Sequence, residues 1–319
     1  MKISAYIIFA VVIAASSVSL KAQSPAPAPS SPTRPPTQQP NAPTPPPQQP
    51  TATQQTTQQA ATAAEIEAKN KQIEADNASV VRSFTAGNEA LSANKLDEAI
   101  AAFREGLRVR PDEPALLTNF AEALRRRGIT AWNAGLQTEG AAKDAKQTAA
   151  KSDWAEAAAS SAKALQSLNK FPAEQQLQPA FLQTKTAAAS ARAMAMRLVA
   201  SKVDRTQAGA AWDANVEYVS LTSDSAEKSK LKGEGLQMLF EAGAFDLAIL
   251  HSRAVLKEEP QNLEAHRVLG VSLFASNDKV KMQEALPHLQ QYLDKAPSGD
   301  PQRENVEEAI KLIKAQKPD

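Results

Sequence analysis

The chain has 319 residues, of which 42% are hydrophobic, 22% charged and 5% aromatic, and it contains no cysteine. The lack of cysteine excludes a disulfide framework, thiolate chemistry and cysteine-based zinc or iron–sulfur sites. Lys and Arg number 36 against 35 Asp and Glu, a net charge of +1, which argues against a nucleic-acid-binding surface with its clustered positive charge.

The N-terminal 22 residues have the layout of a secretory signal peptide. Lys2 is followed by an apolar run through Ile13, then by small residues and a possible cleavage site after Ala22. The apolar run is shorter than the roughly 20 residues that span a membrane. We therefore expect an exported protein, periplasmic or extracellular. Because Leu20 stands where a small residue is preferred, the alternative is an uncleaved membrane anchor over residues 1–22.

Residues 23–63 are predicted to form a disordered linker. Over residues 24–63, 28 of the 40 positions are Pro, Gln or Thr, and twelve of those are Pro. This composition cannot bury enough apolar surface to offset the loss of chain entropy on folding. The segment is therefore interpreted as a solvated spacer that precedes the folded part of the chain.

From residue 64 the chain is rich in Ala, Glu, Lys and Leu with helical spacing. Residues 64–79 are predicted to form a lead-in helix, for which Ile66 and Ile73 are the only apolar anchors. Two amphipathic helical faces follow over 80–113, with a break around Asn94. Two short helices joined in this way form a hairpin, which needs neighbours to bury its apolar faces.

One pattern recurs along the chain, an alanine followed twelve residues later by a proline, with apolar positions between them. It occurs as Ala99 with Pro111, Ala248 with Pro260, and Ala285 with Pro297. Ala157 and Ala208 mark two fainter copies that lack the proline. A small alanine allows two helices to approach closely, and a proline ends a helix because it has no N–H. The pattern therefore predicts repeated helical hairpins with fixed joints.

Residues 80–113 resemble a tetratricopeptide repeat, whose 34 residues follow W-x2-L-G-x2-Y, then A-x3-F, then P. The matching residues are Gly87, Ala99, Phe103 and Pro111. The smaller Ser83, Ala86 and Ala90 replace Trp, Leu and Tyr, which predicts looser packing. In the fourth copy Gly235 and Leu236 stand in swapped order, and the last copy has three extra residues, expected in the turn before Ala285.

The resemblance implies an all-α fold, a right-handed solenoid of helix-turn-helix repeats over residues 80–300. The predicted units are 80–113, 114–172, 173–224, 229–262 and 263–300. In the second and third units the marker alanine comes late, so both helices of each unit are predicted to be longer, by about three and two turns. Residues 301–319 are predicted to form a capping helix, in which Val306, Ile310 and Ile313 cover the last hairpin.

The sequence predicts no catalytic residue, no metal site and no cofactor. Six S-x-x-K matches lack a K-T-G partner and are interpreted as background. The three histidines lack ligand spacing and are expected on helix surfaces. The run Arg125–Arg127 is interpreted as solvated, and the three tryptophans are expected to pack in the core.

In tetratricopeptide proteins the concave groove formed by the first helices commonly binds an extended peptide or a partner's helix. The resemblance implies such a groove at the matching first-helix positions, which are Val81, Phe84, Asn88, Leu91, Thr118, Glu122, Arg125, Gln237, Phe240, Arg267 and Val271. The expected partner is a protein, not a nucleic acid, and membrane contact is expected only through an uncleaved N-terminus. The alternatives are a membrane-anchored envelope assembly factor and a glycan-binding or enzymatic envelope protein that carries repeats.

Overall fold

The computed structural model describes the backbone of residues 52–315 and the side chains of residues 64–315. The predicted signal peptide, residues 23–51 of the predicted linker and the last four residues of the predicted capping segment lie outside the described part. The chain divides into two compact units, residues 1–73 and residues 74–319. All regular secondary structure from 52 to 315 is helical, as the predicted all-α class requires.

The described residues form twelve α-helices. These are α1 (Ala52–Ser92), α2 (Leu96–Val109), α3 (Pro114–Leu136), α4 (Gly140–Leu168), α5 (Ala173–Gln176), α6 (Pro179–Leu198), α7 (Ala208–Leu221), α8 (Ser225–Glu241), α9 (Phe245–Glu258), α10 (Leu263–Ala275), α11 (Lys279–Lys295) and α12 (Arg303–Ala315). In the larger unit the helices pack as the hairpins α1–α2, α3–α4, α6–α7, α8–α9 and α10–α11, and α12 packs on the last of them. The predicted solenoid of helical hairpins is confirmed.

The first helix begins earlier than the sequence predicts. Helix α1 starts at Ala52, so residues 52–63, predicted as linker, are helical, and the predicted lead-in helix continues into the first hairpin without a break. The prolines of the preceding segment stop at Pro50, and the Ala and Gln residues that follow favour a helix. Ile66 and Ile73 are 53% and 51% exposed, so their assignment as apolar anchors was wrong.

The marker alanines are buried in every hairpin. The exposed fraction is zero for Ala99, Ala157, Ala248 and Ala285, and it is 2% for Ala208. In α2 and α9 the marker lies three residues after the start of the helix. The recurring alanine thus identifies a buried position of the second helix in each hairpin, as the close-approach argument requires. It lies near the start of the helix in α2, α7 and α9, and in the second half of the longer α4.

The prolines and the turns also repeat. Helices α2, α9 and α11 each end two residues before the proline of the pattern, at Val109, Glu258 and Lys295. Within three hairpins, the second residue after the first helix has a positive φ: Asn94 at 58°, Gly243 at 73° and Asn277 at 54°. The next amide then bonds back to a helix carbonyl, Lys95 N to Ala90 O at 2.8 Å and Ala244 N to Leu239 O at 2.9 Å. These contacts are those of a Schellman motif, which closes the first helix and reverses the chain.

The three extra residues before Ala285 lie in a helix and not in a turn. Only residues 276–278 separate α10 from α11, the same length as in the other two hairpins of this kind. Helix α11 has 17 residues against 14 in α9, and it starts early because Asp278 accepts hydrogen bonds from Val280 N and Lys281 N at 2.8 and 3.2 Å. The predicted longer turn was wrong, since an N-cap residue directs these residues into the helix.

The two central hairpins differ in how they are lengthened. Helices α3 and α4 have 23 and 29 residues, against 14 in α2, so both arms of this hairpin are long. Helix α6 has 20 residues, but α7 has only 14, so the third unit is lengthened in its first helix alone. A π-helical turn at Val199–Val203 and a 3-10 turn at Arg205–Gln207 take up the residues that the sequence pattern assigned to a longer α7.

A small residue on the first helix faces a large one on the second. A Cβ placed on Gly87 would lie 2.3 Å from Cε1 of Phe103, and one on Gly270 would lie 2.4 Å from Cδ2 of Leu289. The fourth unit reverses these sizes, because Leu236 replaces the glycine and Ser252 replaces the large residue. Both side chains are fully buried, and among the described residues the Ser252 hydroxyl has no hydrogen-bond partner. The swapped Gly235–Leu236 order is therefore matched by a compensating change in the second helix.

We predict that Gly87→Val lowers the free energy of unfolding by about 1–3 kcal/mol, because the added methyl groups would overlap the buried ring of Phe103. Urea unfolding of the full chain measures the change. Gly299→Val is the matched control: nothing lies within 4 Å of a Cβ at Gly299, and its effect should stay within about 0.5 kcal/mol. Equal losses in the two variants would contradict the close approach at Gly87.

Candidate partner-binding groove

The first helices of the hairpins, α1, α3, α6, α8 and α10, follow one another in a row, and each is joined to the next by packing or by side-chain contacts. Helix α3 packs on α6, and α8 packs on α10. At one end Asn119 Nδ2 donates to Asn88 Oδ1 across 2.8 Å, which joins α3 to α1. In the middle Arg197 and Glu234 form an ion pair of 3.2 Å between α6 and α8. We call these five helices the first-helix row.

The second helices are joined by an ion pair that recurs at equivalent positions. Arg104 on α2 pairs with Glu156 on α4 at 3.1 Å, and Arg253 on α9 pairs with Glu284 on α11 at 2.6 Å. In both cases the arginine follows its marker alanine by five residues and the glutamate precedes the next marker by one. The side chains are partly exposed, so each pair stabilises the fold by at most about 1 kcal/mol. They join successive hairpins through their second helices.

The eleven predicted groove residues differ widely in how much surface they offer. Val81 is exposed. The half-buried residues are Phe84, Asn88, Glu122, Arg125, Gln237 and Phe240. The buried residues are Leu91, Thr118, Arg267 and Val271, with exposed fractions of 4–9%. The assignment of these four to a contact surface was wrong, because a buried side chain cannot reach a partner.

Each buried position has a structural reason. Leu91 and Val271 belong to the hydrophobic core clusters of the first and last hairpins. The Thr118 hydroxyl donates to the carbonyl of Pro114, one turn earlier in α3, across 2.8 Å. Arg267 donates through Nε to Glu264 at 2.8 Å and through the guanidinium to the Gln237 side chain. The contact between Arg267 and Gln237 joins α10 to α8.

A cleft of about 570 Å³ opens on the first-helix row between α6, α8 and the start of α10. It is lined by Arg197, Ala226, Ser229, Lys230, Gly233, Glu234, Gln237, Gln261, Asn262, Leu263 and Glu264. Of these, the sequence prediction named only Gln237. Those on α8 precede Gln237 by one to three helical turns on the same face, so the repeat register could have found them. Arg197 could not be found in this way, because the third unit lacks a clear pattern.

Paired charges and amides make up the polar surface of the cleft. Glu234 lies 3.2 Å from Arg197 and 4.0 Å from Lys230, and Glu264 is paired with Arg267. The cleft therefore presents two cationic and two anionic side chains, together with the amides of Gln237, Gln261 and Asn262. This lining suits a polar peptide that offers both donors and acceptors, and it provides no net charge to attract a polyanion.

A hydrogen-bond network around Glu259 holds the start of α10 at the edge of the cleft. The Glu259 carboxylate accepts from Ser229 Oγ at 2.7 Å, Asn262 Nδ2 at 2.9 Å and Lys232 Nζ at 2.8 Å. Asn262 also caps α10 by accepting from Ala265 N at 2.9 Å. Burial alone would raise the pKa of Glu259, but the hydrogen bonds from Lys232, Asn262 and Ser229 lower it to about 2.

The run Arg125–Arg127 ties helices together, so its interpretation as a solvated surface was wrong. Arg127 places Nε and Nη2 on the two oxygens of buried Asp153, at 2.8 and 2.7 Å, and Nη1 on Asp97 at 2.8 Å. Arg126 donates to the carbonyl of Leu91 across 3.1 Å. A guanidinium that donates to both oxygens of one carboxylate has a specific geometry. Loss of Arg127 would leave the buried carboxylate of Asp153 without its charged partner and would destabilise the fold. The arginines thus join α3 to α1, α2 and α4.

The histidines also differ from the prediction. His266 is only 6% exposed, and its Nδ1 lies 2.9 Å from Nδ1 of His288. His251 stacks on Trp212 with ring centroids 4.3 Å apart. The expectation of a surface position was wrong for His266, whereas His251 and His288 are half-buried and each stacks on a neighbouring ring. Within the described residues no group of three or more His, Asp or Glu could hold a metal ion, and no helix is long and apolar enough to cross a membrane.

Two segments of the chain, residues 84–146 and 237–300, match the tetratricopeptide repeat family model. The crystal structure of the P58(IPK) TPR domain is similar at 15% sequence identity, with 80% of this chain and 70% of that chain covered and a TM-score of 0.33. No curated protein matches the chain. The two matched segments are therefore similar to tetratricopeptide repeats, which are consistent with a protein–protein interaction scaffold. Residues 147–236, with the irregular third unit, lie between the two matched segments.

We predict that Glu259→Gln makes the protein less sensitive to acid. The pKa of Glu259 is about 2 in the folded chain against an ordinary value of 4.5, so its contribution to stability is complete above about pH 4.5 and is lost as the pH falls toward 2. Urea unfolding at a series of pH values from about 6 down to 3 should show a less stable variant at the upper end and a shallower decline toward the lower end.

Glu258→Gln is the control for this measurement. Glu258 also accepts from Lys232, at 2.9 Å, but its side chain is 70% exposed against 28% for Glu259. The Glu258 variant should keep the steep decline of the wild type. If Glu259→Gln and the wild type lost stability in parallel as the pH falls, the network would not stabilise the start of α10 in the way described.

Proposed function

We propose that this protein is an exported scaffold that binds an extended segment or a helix of a partner protein along its first-helix row. The observation that carries the proposal is the cleft between α6, α8 and α10, which lies on that row and is lined in part by residues of the second matched repeat segment. Binding is non-covalent and requires no cofactor. Exposed Val81 and half-buried Phe84 and Phe240 offer apolar contact, and the cleft offers amides and paired charges.

Export is the second part of the proposal, and the signal-like N-terminal sequence supports it. In this account the mature chain begins near residue 23 and the protein acts in the periplasm or outside the cell. N-terminal sequencing of the protein recovered from cell fractions tests this directly. A start at or near residue 23 is expected, whereas an intact Met1 in the membrane fraction would favour a membrane-anchored assembly factor.

We predict that Ala226→Arg weakens capture of the partner at least tenfold while the fold is retained. Ala226 is an exposed residue that lines the cleft, so an arginine there occupies the cleft without removing a described contact. The measurement compares the proteins that tagged wild-type and variant chains retain from an envelope extract, after thermal unfolding has shown equal midpoints. Val81→Arg tests the other end of the row in the same way.

Leu250→Arg provides the matched control. Leu250 is 59% exposed on α9, a second helix, so the substitution adds the same charge and bulk outside the first-helix row. It should retain the proteins that the wild type captures. Loss of capture in Leu250→Arg together with full capture by both groove variants would place binding on the second helices and overturn the proposal.

A further inference from the structure

We infer that residues 64–77 of helix α1 form one half of a short parallel coiled coil, whose other half is the same segment in a second copy of this chain. The inference goes beyond the proposed function and does not involve the cleft. Its basis is an apolar stripe exposed on α1, the polar residue between the two isoleucines of that stripe, and the charges that flank it.

One segment of α1 is exposed on every side. All twelve side chains from residue 64 to residue 75 are exposed, over a helix length of about 18 Å. The ion pair between Lys71 and Glu67, at 2.8 Å, is 74% and 70% exposed and therefore adds little stability. Most helical stability in proteins comes from the packing of one face, so a helix of this length without such packing is marginal in water. The segment therefore requires a partner.

Two large apolar side chains mark the face that a partner would cover. Ile66 and Ile73 are 53% and 51% exposed, and their spacing of seven residues places them on one stripe of the helix. The next residue at this spacing, Val80, is 4% exposed and belongs to the core of the first hairpin. Between the two parts of the stripe, Arg110 donates to the side-chain oxygen of Asn77 directly after the end of α2. The isoleucines thus continue a stripe that is buried within the hairpin.

Asn70 lies on the same stripe, between the two isoleucines. It follows Ile66 by four residues and precedes Ile73 by three, so the stripe has the d, a, d spacing of a coiled coil. An asparagine at position a specifies the register and the number of helices at some cost in stability. Two facing asparagines satisfy each other, because a carboxamide both donates and accepts. Asn70 therefore favours two helices, against the higher number that isoleucine at d supports when position a is apolar.

The layers of the stripe favour a parallel pair. In a parallel arrangement each residue faces its own copy, so that isoleucine meets isoleucine at positions 66 and 73 and asparagine meets asparagine at position 70. In an antiparallel arrangement position a faces position d, and each isoleucine would face an asparagine. That arrangement would bury the amide against an apolar side chain without a hydrogen-bond partner. The partner that this stripe fits is therefore the same stripe.

The charges beside the stripe are complementary in the same arrangement. Lys69 is at position g and Glu74 at position e. In a parallel coiled coil, position g of one helix lies beside position e of the other helix, five residues further on. Lys69 of each copy therefore lies beside Glu74 of the other, which gives two attractive pairs. The other charged flanking residues, Glu67 and Asp76, lie opposite the uncharged positions 62 and 81, so no like charges oppose the association.

Cysteine cross-linking of the full chain tests the inference, because the chain contains no cysteine of its own. On mild oxidation Ile66→Cys and Ile73→Cys should each form covalent dimers at least about tenfold faster than Ala68→Cys, since facing thiols have an effective concentration in the millimolar range. Ala68 is the matched control because it is exposed on the opposite face of the same segment.

Two results of the cross-linking experiment would overturn the inference. Equal rates at positions 66, 68 and 73 would show that the thiols meet by random collision. An antiparallel pair, or a partner other than a second copy, would leave both isoleucine variants without a rapidly formed covalent dimer.

Sedimentation of the cysteine-free chain covers the case in which a cysteine alters the helix. The wild type should pass from one to two chain masses as its concentration rises. Lys69→Glu should raise the dissociation constant by about fivefold or more, because two attractive pairs become repulsive, and adding Glu74→Lys should restore it. A single chain mass at every concentration, a mass of three or four chains, or no restoration in the double variant would contradict the parallel pair.

Discussion

The close approach of paired helices at one fixed register is the constraint on which the rest of this structure depends. The marker alanines are buried in all five hairpins, and a glycine in the first and last hairpins faces a large side chain of the second helix. Two helices that pair in this way bury one face of each helix against the other. The opposite faces remain available to pack on the next hairpin. The interaction is one of packing, so its strength depends on volume at a few positions and tolerates wide variation elsewhere.

The joints between hairpins and the surface of the first-helix row both follow from this register. Each clear copy ends two residues before a proline and reverses through a residue with positive φ, so the next first helix starts at a defined place. First helices then lie beside first helices, which makes a row whose charged groups are mostly paired within the protein. The cleft is lined by Arg197 of α6, by residues of α8 and by residues 261–264 at the start of α10, so three successive hairpins contribute to it.

The sequence predicted the features that depend on residues close together in the chain. It did not predict contacts between side chains that lie far apart in the chain. The alanine–proline spacing predicted the hairpins and the ends of α2, α9 and α11, because these depend on residues close in the chain. The partners of Arg127 and His266 lie 26 and 22 residues away, so no local pattern could reveal that both side chains are engaged. The groove prediction carried over positions from a resemblance, and it failed at Leu91 and Val271 because both side chains belong to hydrophobic core clusters.

The shared register is tested most directly at the fourth hairpin, where Leu236 and Ser252 reverse the sizes of the facing residues seen in the first and last hairpins. A double-mutant cycle combines Leu236→Ala, which leaves a cavity, with Ser252→Leu, which overfills the same space if the two positions face each other. The account predicts that the double variant is more stable than the two single changes would give together, by about 1 kcal/mol or more in urea unfolding. Additive effects within about 0.5 kcal/mol would show that the two positions do not share a space and would contradict a common register.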